Sequence, residues 1–257
     1  MAKDEGKPFL EHIEDLRWMI IKSAIALGVC MIVTACFAKS IITLLMYPLN
    51  QELNSRGLDA SRFLVSLGVT DPLNTLIDVA LFSGLVLACP FICYFIGEFV
   101  VPALTPKEKK FLLPTFLIGG VLFLCGVLFS YFLVLPQTIA FFIEFNEWLG
   151  WQPTWTIQNY LDFTLQMLIG CGLAAELPLV ILLLAQFGMV TKKMLTEYRR
   201  HALVIILIAA ACITPSSDPY NLTLVFAPMY VLYELSIWGT AWIEYRRAQR
   251  AVFSEDS

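Results

Sequence analysis

Histidine is almost missing from these 257 residues: His12 and His201 are the only two. A histidine-built metal site and a Ser-His-Asp triad are therefore close to excluded, and no H-E-x-x-H, Walker or G-x-G-x-x-G pattern occurs. Charge is also scarce, at 15% of residues, against about 25% in soluble domains. No polar linker is long enough to divide the chain, so a single domain over 1–257 is expected. Internal repeats are not visible, which weakens an inverted-repeat transporter reading. The seven cysteines (30, 36, 89, 93, 125, 171 and 212) all fall within or beside apolar runs. Cys89 and Cys93 share a helix face, but the sequence around them lacks metal-ligand spacing, so cysteine reads as a small packing residue. No enzymatic activity, metal or cofactor is expected. Nor is a cleavable leader: Glu11, Glu14 and Asp15 precede the first apolar run, and no A-x-A site follows a short one.

What the chain has is hydrophobic length. Apolar residues make up 58% of it and the mean hydropathy is +0.74. The runs lie at roughly 19–38, 79–101, 111–142, 161–187, 202–213 and 222–242. Crossing a hydrocarbon core takes about 20 apolar residues as helix. An all-α polytopic membrane protein with six transmembrane helices is expected. Of the 17 basic residues, 14 lie in alternate intervening segments: Lys3, Lys7, Arg17 and Lys22; Lys107, Lys109 and Lys110; Lys192, Lys193, Arg199 and Arg200; Arg246, Arg247 and Arg250. Only Lys39, Arg56 and Arg62 lie in the opposite set. The positive-inside rule then places both termini in the cytoplasm, with 244–257 as a disordered tail.

Before the first span, Phe9, Ile13, Leu16 and Ile20 recur at helical spacing, which predicts an amphipathic helix over 1–17 on the cytoplasmic surface. Its acids are unexpected there, because an anionic leaflet favours Lys and Arg. Pro48–Thr75 is the longest external segment and predicts a compact cap. A second external segment carries Trp148, Trp151 and Trp155, which suit an interfacial aromatic belt. The last two spans are short. Their external end carries Thr214, Asp218 and Asn221, where the polar side chain of a partner helix could hydrogen-bond. Glu176 sits mid-span in Ala174-Ala175-Glu176-Leu177-Pro178. Its insertion cost of about 2.5–3.5 kcal/mol means that it should face protein or a water-filled cavity.

Ordered motifs then carry a resemblance. Phe9-Leu10-Glu11-His12-Ile13-Glu14-Asp15-Leu16-Arg17 resembles the H-L-x-E-L-R signature of the TatC family of twin-arginine translocase proteins. Similar matches follow in order: Tyr47-Pro48-Leu49, then Phe99-Val100-Val101-Pro102-Ala103-Leu104 running into Lys107-Glu108-Lys109-Lys110, then Tyr131-Phe132-Leu133-Val134-Leu135-Pro136. Glu176-Leu177-Pro178, Thr214-Pro215 and Asp218-Pro219 complete the set, over about residues 9 to 245. The resemblance implies a receptor of the bacterial inner membrane that binds twin-arginine signal peptides of folded cargo. It also implies single-span partner proteins and export driven by the proton-motive force. The family's acidic positions fall on Asp15, where Glu is usual, and on Glu108. Pro48 joins Thr214, Asp218 and Asn221 as an external cap or partner position. The chain departs from the family in Trp18 and Met19, where basic residues commonly follow the first motif.

The chemistry of that pair stands beside the resemblance. Two adjacent guanidiniums need carboxylates that accept forked hydrogen bonds. Asp15 and Glu108 would supply them, with Arg17 orienting Asp15 and Phe99 packing against the signal. The lipid bilayer is the other expected partner, and no nucleic acid is. Glu176, Asp78 and Asp162 keep one alternative open, an ion-coupled small-molecule carrier using intramembrane carboxylates.

Overall fold

The computed structural model describes residues 9–57, 63–100, 106–214 and 218–255. Helix α1 runs unbroken over Phe9–Cys36. The stretch has no proline, and its one glycine, Gly28, faces open space. The surface helix expected over 1–17 is thus not a separate element from Phe9 onward; it forms the first turns of the spanning helix. After a break at Phe37 comes α2, Ala38–Ser55. Next are β1 (Leu64–Val65), α3 (Asp71–Val100) and α4 (Pro106–Phe129). One wide turn over Ser130–Val134 leads into α5, Leu135–Trp148. There the Leu135 N–H donates to Ser130 O. Such π-type widening suits Pro136, whose ring crowds the preceding turn and lacks an N–H. The chain continues through β2 (Trp155–Thr156), α6 (Ile157–Ala175), α7 (Leu177–Gln186), α8 (Lys192–Glu197), α9 (Arg199–Ile213) and α10 (Pro219–Glu255).

Five of the described helical stretches are long and apolar enough to cross a membrane: Ile13–Cys36, Asp71–Phe99, Phe116–Trp148, Ile157–Gln186 and Pro219–Arg246. The sixth expected span is α9. Its 15 residues give a rise of about 22 Å, less than a hydrocarbon core of about 30 Å. The last span is longer than expected, because helix continues through Pro219–Asn221 at one end and Ile243–Arg246 at the other. The disordered tail expected from 244 is likewise helical as far as Glu255. Residues 244–255 contain no glycine or proline, so nothing in that stretch breaks the helix. The protein is all-α and polytopic, and its described residues include one two-residue parallel strand pair, Leu64 opposite Trp155 and Val65 opposite Thr156.

The chain divides into two compact units, Met1–Leu124 with Ile139–Leu165, and Cys125–Thr138 with Gln166–Ser257. In the first, α1 packs along α3. The Thr34 hydroxyl donates to Ala80 O at 2.9 Å, and Gly84 lies so close to Met31 that a Cβ there would meet Met31 Cα at 2.9 Å. Small residues and a buried hydroxyl are what let helices approach without a hydrophobic driving force between them.

The expected cap over Pro48–Thr75 takes in β1 and the first residues of α3, and it starts within α2. Leu45, Pro48, Leu49 and Leu53 bury one face of α2, and the Tyr160 hydroxyl donates to Leu45 O at 2.8 Å. Trp155 packs edge-on against Phe63 at 4.9 Å, so it belongs to the cap, whereas Trp148 and Trp151 are 78% and 63% exposed, as a belt requires. Arg56 holds the end of α2. Its guanidinium pairs with Glu52 at 2.8 Å, Glu144 at 2.8 Å and Glu147 at 3.5 Å. Hydrogen bonds to Glu52 and Glu144 raise its pKa above the ordinary arginine value. Exposed pairs contribute little singly, but one fork shared by three carboxylates ties α2 to α5. Arg56→Ala should therefore lower stability by about 1 kcal/mol, with Arg56→Lys intermediate. Thermal melting in detergent checks this, and an unchanged melting temperature for Arg56→Ala would refute the clamp.

In the second unit, Glu234 is neutralised inside its span. It accepts from Arg199 at 2.9 Å and from the Tyr230 hydroxyl at 3.1 Å. The Tyr233 hydroxyl donates to Leu195 O at 2.8 Å, and Glu244 accepts from the Lys192 N–H at 2.8 Å. These contacts dock α8 and α9 on α10.

Candidate functional site

Asp15, Trp18, Met19 and Lys22 are spaced i, i+3, i+4 and i+7, so they form one stripe on α1. Phe95, Glu98 and Phe99 form the equivalent stripe on α3. Antiparallel packing brings the two stripes together at the N-terminal end of α1, where they line a cleft of about 210 Å³. Lys22 Nζ meets both oxygens of Glu98, at 3.1 and 3.0 Å, and sits 6.0 Å from the centre of the Phe95 ring. The side chains of Lys22 and Glu98 are 44% and 52% exposed. The cleft therefore offers carboxylates, aromatic faces and water access together, the combination that suits a cation on an extended peptide.

Two sequence-predicted residues, Asp15 and Phe99, are thus brought together. Arg17 is not among the residues that line the cleft, and it is exposed. Two positions along a helix turn a side chain about 200° away, so Arg17 does not face Asp15 and cannot orient it. The helix that carries Glu108 is α4, but the side chains of residues 100–115, Glu108 among them, lie outside the described ones. Glu98, Lys22, Trp18 and Phe95 were not anticipated. Helical spacing from Asp15 and Phe99 would have flagged each as sharing their face. The Lys22–Glu98 pair, 76 residues apart in sequence, had no local signal.

The external positions turn inward. Pro48 is buried on the packed face of α2. Thr214 is 5% exposed, and its hydroxyl donates to Ala210 O at 2.9 Å. Asn221 is fully buried. It accepts from the Thr138 hydroxyl at 2.7 Å and donates to Asp218 Oδ2 at 2.8 Å, while Asp218 Oδ1 accepts from the Asn221 N–H at 2.8 Å. Asp218 thereby caps α10, and Asn221 fastens that cap to α5. Thr214 and Asn221 spend their polar atoms inside the unit, so the expected hydrogen bonds from them to a partner helix are replaced by internal ones. Glu176, half-buried, marks the break between α6 and α7. Pro178 in the first turn of α7 supplies no N–H, so the helix restarts there. The Glu176 N–H turns back to Leu173 O at 3.1 Å.

A family model described as Sec-independent protein translocase protein (TatC) matches residues 11–228. The Sec-independent protein translocase protein TatC of Deinococcus radiodurans is 37% identical over 231 residues, covering 90% of this chain and 84% of that protein. The protein of the same name from Carboxydothermus hydrogenoformans is 32% identical over 242 residues, covering 94% of this chain and 96% of its own length. Among solved structures, a crystal structure of a twin arginine translocase receptor, TatC, superposes with a TM-score of 0.78 at 31% identity. It covers 91% of this chain and 99% of that one.

Proposed function

The chain belongs to the TatC family of Sec-independent protein translocase proteins, and from that premise we propose that it is the receptor component of a twin-arginine translocase. In this reading it binds twin-arginine signal peptides of folded cargo at the cytoplasmic face of a bacterial inner membrane. It assembles there with single-span partner proteins, and the proton-motive force drives export. The observation that carries the reading is the α1–α3 cleft, with Asp15 and Glu98 beside Trp18, Phe95 and Phe99. The cleft lies at the end of α1 and α3 adjoining the Lys107, Lys109 and Lys110 segment, which the positive-inside rule assigns to the cytoplasm. That is where a signal arriving from the cytosol would meet it.

Guanidinium chemistry sets the specificity. Arginine presents a planar fork to a carboxylate and stacks on aromatic faces, whereas lysine offers a hydrated point charge. A labelled peptide with Arg-Arg ahead of an apolar stretch should therefore bind the protein in lipid nanodiscs at least about tenfold more tightly than its Lys-Lys counterpart, a difference of about 1.4 kcal/mol. Equal binding of the two peptides would reject the receptor reading. The partner's single span would lie against lipid-facing apolar surface, such as the exposed Leu203, Ile205 and Ile208 of α9, rather than on the inward-facing Thr214 and Asn221.

A further inference from the structure

Lys22 already occupies the cleft. Its ammonium bridges both oxygens of Glu98 at 3.1 and 3.0 Å beside the Phe95 ring, on the same stripe of α1 as Asp15. We infer that Lys22 is a built-in competitor for the signal's guanidinium, and that Glu98 is a further signal-binding carboxylate, released by cation exchange. The inference rests on the cleft being the signal site.

The chemistry favours exchange in one direction. Both partners of the resident pair are about half exposed, so the pair is among those that contribute little and break cheaply. An incoming guanidinium donates to the same two oxygens in a fork that an ammonium cannot match, and it can lie flat on Phe95. The displaced Lys22 ammonium returns to water, where it is well hydrated. No charge is left buried at any stage. A lysine-bearing peptide gains nothing on Glu98 that Lys22 does not already provide, so the resident ion filters out non-arginine cations. Apparent affinity falls by the fraction of receptors in which Glu98 is occupied from within.

The test is a set of peptide affinities at low salt in nanodiscs. Lys22→Arg keeps the charge but supplies a fork of its own, and it should weaken Arg-Arg peptide binding about two- to fivefold, the range spanned by an exposed ion pair. Lys22→Met should strengthen binding by a similar factor. Glu98→Gln should weaken binding, and in that background both Lys22 substitutions should lose their effect. Unchanged affinity in Lys22→Arg overturns the inference. So does a Lys22→Met effect that survives intact in Glu98→Gln, since that would reflect long-range charge alone, and so does weaker binding by Lys22→Met. If Lys22→Met fails to fold, the conservative Lys22→Arg variant still decides the question. Asp15→Asn separates the two levels. If it leaves affinity unchanged, the cleft is not the signal site. If it weakens binding while Lys22 and Glu98 show no coupling, only the exchange is wrong.

Discussion

Replacing Asp15 or Glu108 with alanine should each lower affinity for an Arg-Arg signal peptide by about 10- to 150-fold. The magnitude follows from the chemistry: a hydrogen bond to a charged group contributes about 1.5–3 kcal/mol, and each 1.4 kcal/mol is tenfold. The two losses should not add. Adjacent arginines on one backbone are restrained together, so losing one anchor loosens the other, and a double-mutant cycle should show coupling. Substituting Lys for one arginine in the peptide extends the cycle, because it removes the fork and retains the charge. The effect should shrink as salt rises, since the cleft is open to water. Parent-like affinity in both single variants at low salt would remove the pair from the site.

Gly126→Val should prevent the second unit from assembling, and Gly126→Ala should lower its stability by about 1–3 kcal/mol, the usual cost of overpacking. A Cβ at Gly126 would stand 2.6 Å from Cys171 O, 2.7 Å from Ala175 Cβ and 3.0 Å from Gly172 Cα. Two of these three atoms are backbone, which cannot rotate aside. The substitution would force α4 away from α6 and stretch the nearby bond from the Ser130 hydroxyl to Met167 O, now 3.3 Å. The sign is diagnostic. In an unobstructed helix, Gly→Ala should stabilise by up to about 1 kcal/mol. Gly28 on α1, with nothing within 4 Å of an added Cβ, is the matched control. Melting curves of Gly126→Ala and Gly28→Ala in detergent should move in opposite directions. Parallel shifts would show that the glycine contact is not close.

The all-α polytopic class and the five long apolar helices were legible because they depend on composition and one-dimensional order. A helix must satisfy its own backbone in lipid, so apolar length alone announces a span. Glu234 shows the limit of that reading. The sequence shows an acid within an apolar run, but its partners, Arg199 and Tyr230, are visible only once α9 and α10 are docked. Element boundaries were less legible. Whether Phe9–Arg17 lies on the surface or continues α1 depends on how α1 packs, which helical periodicity cannot express. The α9 span read as short because it is short, whereas the last span read as short because polar residues at both ends extend it without raising its hydropathy.

The candidate site divides along the same line. By itself the sequence determined the types of group and their places along each helix: an acid at Asp15, an aromatic at Phe99, an acid at Glu108 and a chain otherwise flanked by bases. It could also state that Asp15, Trp18, Met19 and Lys22 share a face, since 3.6 residues per turn is a local property. Only the tertiary structure decided that Glu98 meets Lys22 across 76 residues and that Asn221 is enclosed by Thr138 and Asp218. Those outcomes depend on which face of each helix packs against which neighbour. Helix faces are set by small residues such as Gly84 and Gly126 allowing close approach, and that is a contact between distant segments rather than a pattern within one.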